Sequence, residues 1–267
     1  MLTRTFCHIP GLGAITEREM WRSGCDAWDT YLAEPDRFSV GSASREIVRS
    51  TLADSQAALQ DGHHQYFASA LGMTHAWRAW PDFRDKCVYL DIETDGGQSG
   101  SSITTVGLYD GHEFTCLIKG EDLGNFPDII SRYSYIVTFF GSGFDLPMLK
   151  KAFPHVTFDQ IHLDLCPTLK QLGYKGGLKK IEKQLGLSRG DETDGLTGLD
   201  AIRLWREYKR GDDDALRTLI EYNREDVVNL ETLANIAYTR LRKRHLADAG
   251  VVDLSGLTLA RDLPQNR

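Results

Sequence analysis

Residues 87–94 read Cys-Val-Tyr-Leu-Asp-Ile-Glu-Thr, and no other segment limits the fold of this chain as tightly. The period of two that a β-strand imposes sends Val88, Leu90 and Ile92 to one face and Tyr89, Asp91 and Glu93 to the other. Two carboxylates therefore project side by side from an apolar strand. Burying both as anions is costly unless a cation or protons neutralise them, and a divalent metal is the natural partner. The alternative is an edge strand whose polar face is wet.

The flanking pattern defines the class. Strand-like runs cover 87–93, 103–109 and 112–118, and Asp110-Gly111 between the last two is a hairpin signal. A helix at 126–132, a strand at 135–140, a helix at 146–152 and a strand at 160–165 follow, and beyond Leu165 the chain reads as helix, ending in a long run over 215–244. A meander, then alternating helix and strand, then helices predicts an α/β fold with a mixed sheet flanked by helices. Upstream, a helix at 16–23 stops at Gly24, and Ser42 or Ser44 caps a second helix that runs toward Leu59 before Asp61-Gly62. The aromatic-rich stretch 65–85, with Trp77 and Trp80, reads as a packed connector. The expected division is a small helical region at 1–86, the α/β domain at 87–244 and a tail at 245–267.

Composition removes several function classes. The 267 residues suffice for a sizeable core without staples. Five cysteines are scattered with no C-x-x-C pair, which disfavours a disulfide framework or a structural zinc site and predicts reduced thiols in the cytoplasm. The longest apolar run, 135–140, is far short of the roughly 20 residues of a membrane helix, so no membrane partner is expected. A net charge of −7 argues against a passive nucleic-acid coat. Within 150–183, however, seven lysines stand against three acids, a local +4. That stretch is either a solvated helix face or a cradle for a phosphate backbone beside a carboxylate-rich site.

Two further elements carry chemistry. In Phe140-Gly141-Ser142-Gly143-Phe144-Asp145-Leu146-Pro147, a glycine-rich turn delivers Asp145 to the start of a helix, where Asp also suits an N-cap. In Tyr222-Asn223-Arg224-Glu225-Asp226, the spacing of four puts phenol and carboxylate on one helical face, next to the stripe of Val227, Leu230 and Leu233. Asp164, on the strand with Ile161 and Leu163, is a spare carboxylate: a structural hydrogen-bonding residue, or a replacement for Asp145. His63-His64 reads as loop, 212–214 as an acidic helix start, and 240–244 as a basic helix end.

Taken together, Asp91, Glu93, Asp145 and Asp226 with Tyr222 resemble the DEDDy exonucleases of the RNase H-like superfamily, in particular the bacterial and archaeal group related to the proofreading domains of family B polymerases. Glu221 occupies the position that would be His in the DEDDh variant. The resemblance spans about residues 87–240 and implies an RNase H-like mixed five-stranded sheet and a 3′–5′ exonuclease. The implied substrate is single-stranded nucleic acid, DNA before RNA, with 5′-mononucleotides released. It implies two Mg²⁺ or Mn²⁺ ions, commonly about 3.5–4 Å apart in such sites. Asp91 would bridge them, Glu93 and Asp226 would complete one site, Asp145 would serve the other, and Tyr222 would orient or help deprotonate the attacking water. Thr94, Phe140 and Phe144 are the implied substrate contacts. Family members usually carry Asn where this chain has Phe140, which would stack on a base or pack in the core.

Ile9-Pro10-Gly11-Leu12-Gly13 resembles the hairpin of helix-hairpin-helix motifs, in which Gly11 and Gly13 would let backbone N–H groups approach a phosphate. Glu17 would repel that phosphate, so a DNA contact and a purely structural hairpin both stand. For the whole chain, the competing functions are a nucleic-acid-binding module on a nuclease fold and an RNA-processing exonuclease.

Overall fold

The computed structural model describes residues 1–251 apart from 191, 192 and 194. Strands β1 (Cys87–Thr94), β2 (Ile103–Tyr109), β3 (Phe114–Ile118), β4 (Tyr135–Thr138) and β5 (Ile161–Asp164) form one sheet in the order β3-β2-β1-β4-β5. The first three pair antiparallel, and β4 joins β1, and β5 joins β4, in parallel. The expected α/β class with a mixed five-stranded sheet is the observed one. Because β1 is the central strand, paired on both sides, the wet-edge reading of its carboxylates is excluded.

The helices are α1 (Ala14–Arg22), α2 (Trp28–Ala33), α3 (Arg45–Gln60), α4 (His64–His75), α5 (Phe126–Ile130), α6 (Asp145–Ala152), α7 (Leu165–Gln171), α8 (Leu178–Leu185), α9 (Gly198–Tyr208) and α10 (Asp213–Asp248). On one face of the sheet, Val88, Leu90 and Ile92 pack with Val106, Leu108, Leu117, Phe126, Ile136, Leu146 and Leu149. A second cluster joins Ile118 of β3 to Leu204 and Trp205 of α9 and to Leu219 and Tyr222 of α10. The apolar half of each strand and helix period thus becomes core, and the polar half of β1 is left to face α10.

Several local boundaries differ from expectation for identifiable reasons. The β2–β3 loop takes four residues rather than two, because Asp110 Oδ1 accepts the N–H groups of His112 and Glu113, both at 2.8 Å, which holds 112 and 113 out of the strand. Strand β4 stops at Thr138, since Phe140 turns to φ 66°. His64 opens α4 instead of lying in a loop. The acidic start of α10 is as expected, with Asp212 Oδ1 accepting from the N–H groups of Asp214 and Ala215.

The described residues divide into two compact units: one is Asp82–Asn235, and the other is Met1–Pro81 together with the described residues from Ile236. The expected boundary at 244 falls inside α10, and of the expected tail 245–267 only residues up to 251 lie among those described, with 252–267 outside them. In the second unit, Glu17 is buried against the equally buried Arg78 at 2.8 Å, and its Oε2 accepts the N–H groups of Phe6 at 2.6 Å and Cys7 at 3.0 Å. The carboxylate that would have repelled a phosphate is turned inward to fasten the hairpin. Trp77 and Trp80 are 1% and 2% exposed, so the connector is packed. None of Cys7, Cys25, Cys87, Cys116 and Cys166 is in a disulfide. No helix among the described residues is long and apolar enough to cross a membrane.

Candidate active site

Asp91, Glu93, Asp145, Tyr222 and Asp226 line one cavity of about 520 Å³, so the five residues separated by up to 135 positions in the chain meet at one place. Asp91 and Glu93 reach it from β1 and Tyr222 and Asp226 from α10, as their periods of two and four require. One carboxylate oxygen from each of Asp91, Glu93 and Asp226 lies within 4.8 Å of the others. Asp145 stands beside this trio. It does not act as the N-cap of α6; Phe144 holds that position, and Asp145 Oδ1 accepts the N–H of Ile92 at 3.1 Å.

Asp164 is occupied elsewhere. Its oxygens accept from the N–H of Phe140 at 2.8 Å, of Ser142 at 3.1 Å and of Cys166 at 3.0 Å, and from the Ser142 hydroxyl at 2.5 Å. It caps α7 and fixes the glycine-rich turn that precedes Asp145, which is the structural reading of the spare carboxylate. The turn leaves Phe140 and Phe144 56% and 39% exposed at the cavity wall, so neither is a core residue. A Cβ at Gly143 would lie 2.7 Å from Phe140 Cζ, and glycine there gives the ring its place.

The charges are far from balanced. Burial, reinforced by the Asp145, Asp226 and Glu93 carboxylates, holds Asp91 well above the usual carboxylate range, and Asn223 opposes this with a hydrogen bond. Burial and then Asp226 and Asp145 do the same to Glu93. Burial pushes Asp145 up to about 7 against the lowering effect of the Ile92 N–H. Asp226 is also raised by burial, although Arg189 pairs with it at 2.5 Å. The Tyr222 phenol is raised by burial and by Asp226, Glu93 and Asp91. A site that crowds four carboxyl groups and pushes all of them upward is built for added positive charge.

Three residues that the motifs did not single out complete the surroundings. Lys179, in the first turn of α8, donates to the Tyr222 hydroxyl at 2.8 Å and lies 4.0 Å from the centre of its ring. Arg189 pairs with Asp226 and, through two hydrogen bonds, with buried Glu182, which also accepts from Asn229 at 2.9 Å. Asn223 donates from Nδ2 to Asp91 Oδ2 at 2.9 Å. Lys179 lay within the basic stretch, and Asn223 is three residues before Asp226, a same-face spacing that the Tyr-x-x-x-Asp reading passed over.

Thr94 is not among the residues lining the cavity; its hydroxyl accepts the Gly96 N–H at 3.4 Å. Gly11, at φ +84°, and Gly13, the residue before α1, are exposed in the other compact unit, between buried Ile9, Leu12 and Glu17.

A family model described as the RNase_H superfamily matches residues 88–238. No curated protein matches. Among solved structures, the fold is similar to the family B DNA polymerase from the hyperthermophilic archaeon Pyrobaculum calidifontis, with a TM-score of 0.50 at 17% identity. The match covers 66% of this chain and 26% of the polymerase, so the chain corresponds to about a quarter of that protein's length.

Proposed function

The chain belongs to the RNase H superfamily, and on that premise we propose that it is a cytoplasmic, metal-dependent 3′–5′ exonuclease of the DEDDy type, acting on single-stranded DNA and releasing 5′-mononucleotides. The observation that carries this reading is the convergence of Asp91, Glu93, Asp145, Asp226 and Tyr222 on one cavity whose wall also presents Phe140, Phe144, Lys179 and Lys180. Polarity and the preference for DNA rest on the resemblance of the three motifs.

The donor set fits divalent ions. It consists of carboxylate oxygens alone, three of them within 4.8 Å of one another, which favours Mg²⁺ or Mn²⁺ over zinc. Asp91, Glu93 and Asp226 would hold one ion, and Asp91 with Asp145 the second. When bound, such a pair supplies a nucleophilic hydroxide at neutral pH and stabilises the leaving oxygen.

The chain's own groups do the rest. Asp145 already satisfies one oxygen with the N–H of Ile92, the residue between Asp91 and Glu93. The Tyr222 phenol keeps its proton in this acidic field and accepts from Lys179, so its O–H is free to orient the attacking water as a donor rather than to remove a proton. Phe140 and Phe144 offer exposed rings for the terminal bases, whose π-faces stack without regard to sequence. Lys179 and Lys180 supply positive charge for the phosphates beside an otherwise acidic site.

The test is cleavage of 5′-labelled and 3′-labelled DNA and RNA oligonucleotides with Mg²⁺ or Mn²⁺. Expected are a ladder from 5′-labelled DNA, immediate mononucleotide release from 3′-labelled DNA, and slower loss of RNA. Shortening from the 5′ end would overturn the polarity, faster loss of RNA the sugar preference, and cutting of circular DNA the requirement for an end. Binding of single strands with no cleavage under either metal would make the protein a binding module.

A further inference from the structure

Asp91, Gly107 and Cys116 form one row across β1, β2 and β3, since Asp91 pairs with Gly107 and Gly107 with Cys116. The fully buried side chain of Asn223, from α10, lies along that row. At one end its Nδ2 donates to Asp91 Oδ2 at 2.9 Å, and at the other its Oδ1 lies 3.9 Å from the Cys116 sulfur, within reach of a thiol donor. With an ion bound Asp91 would be an ionised carboxylate, which can only accept, and that sets the sense of the amide. Between the two ends the carboxamide passes over Gly107. A Cβ at position 107 would lie 2.8 Å from Asn223 Cγ and closer still to Oδ1. Gly107 has no positive φ and sits in mid-strand, where glycine weakens pairing and gains nothing from conformational freedom. The space it leaves is the reason for it.

We propose that Asn223 is a positioning residue for Asp91, and that Gly107 is the opening that lets its carboxamide reach that carboxylate. The inference rests on the reading of Asp91 as the ligand shared by both ions. With Oδ2 gripped from the side of α10, the plane of the Asp91 carboxyl is set before an ion arrives. Partners of this kind, one shell out from a metal, typically contribute roughly 10- to 100-fold to metal affinity.

The experiment measures Mn²⁺ binding by electron paramagnetic resonance and calorimetry, alongside cleavage, for wild type, Asn223→Ala, Gly107→Ala and the double variant, each checked by thermal melting. Asn223→Ala is expected to weaken Mn²⁺ binding about 10- to 100-fold, with substrate KM little changed and part of the lost turnover regained at high Mn²⁺. Gly107→Ala should weaken binding in the same direction by displacing the amide. In the double variant the Gly107 substitution should add nothing, because its effect acts through the side chain already removed. Asn223→Ser, which keeps a polar group too short to span the row, serves if the alanine variant does not fold. A folded Asn223 variant that binds Mn²⁺ as wild type does, or a Gly107 effect that persists in full without Asn223, overturns the proposal. Wild type that neither binds Mn²⁺ nor cleaves overturns the nuclease reading itself, and this inference with it.

Discussion

Asp145 Oδ1 accepts the backbone N–H of Ile92 at 3.1 Å, fastening the start of α6 to β1 at the residue between Asp91 and Glu93. The bond ties a third carboxyl to the strand that carries the other two, in a place where it is buried, and burial lifts its pKa to about 7, from about 3.9 in an unfolded chain. Between these values the folded state holds a proton that the unfolded state has released, so this group lowers stability progressively as pH rises from about 4 to about 7. Asn at this position keeps the acceptor and removes the titration. Without divalent ions, the melting temperature of Asp145→Asn should gain on wild type across that window and level off above it. Thermal melts of both proteins at matched pH cancel the titrating groups remote from the site, leaving Asp145 and the Asp91 and Glu93 carboxyls that it raises. A difference that is flat with pH would show that Asp145 does not carry this burden.

Asp164 should behave differently, because four donors converge on it and a carboxamide would turn an N–H₂ toward at least one of them. Leaving a buried donor unpaired costs about 1–3 kcal/mol. Asp164→Asn should therefore be less stable by about that amount at neutral pH and retain Mn²⁺ binding, whereas Asp145→Asn should be at least as stable as wild type and lose affinity for the second ion. Calorimetric titration of the two variants separates them. The reverse pattern would make Asp164 the ligand.

In the N-terminal unit, Glu17→Ala leaves the guanidinium of Arg78 buried without its anion and strips the Phe6 and Cys7 N–H groups of their acceptor. Breaking such a buried pair from one side costs about 3–5 kcal/mol. The variant should lose protection from proteolysis in residues 1–81, with Glu17→Gln intermediate because it keeps the acceptor oxygen. Urea denaturation followed by limited proteolysis would measure this, and a variant as resistant as wild type would show that the pair only fills space.

How far the site could be read in advance follows from how each residue is placed. Asp91, Glu93, Tyr222 and Asp226 sit on regular elements, where a period of two or four fixes direction from sequence alone. Asp145 was found through its neighbours Phe144 and Pro147, but its bond to Ile92 joins residues 53 apart, and only the parallel addition of β4 to β1 brings them together. The same holds for Asn223 and Gly107, whose relation depends on strand register. Lys179 and Arg189 enter from α8 and the loop after it, a region whose local pattern recorded only basic charge. The two exposed phenylalanines are a further case: Phe140 reads as a strand end until the Asp164 carboxylate is seen holding its N–H and turning it to φ 66°. Local periodicity reports direction, while long-range hydrogen bonds decide what a side chain is for.

The Lys179 and Tyr222 pair yields the sharpest kinetic expectation. Tyr222→Phe removes only the hydroxyl, and the ring keeps its packing against Leu219 and the α9 cluster, so fold and Mn²⁺ affinity should stay at wild-type levels. If the phenol orients the attacking water, kcat should drop at least about tenfold and by no more than about 10⁴-fold, the range for a positioned proton-handling group, with KM little altered. Lys179→Met deletes the donor that fixes the phenol's rotation, along with one cation facing the phosphates. It should lower kcat and raise KM together, and in the Tyr222→Phe background only the KM effect should remain, since no hydroxyl is left to steer. Single-turnover and steady-state assays on the two single variants and the double variant separate the terms. Full additivity in kcat would mean that Lys179 acts on the substrate alone, and an unchanged kcat in Tyr222→Phe would reduce Tyr222 to a wall of the cavity.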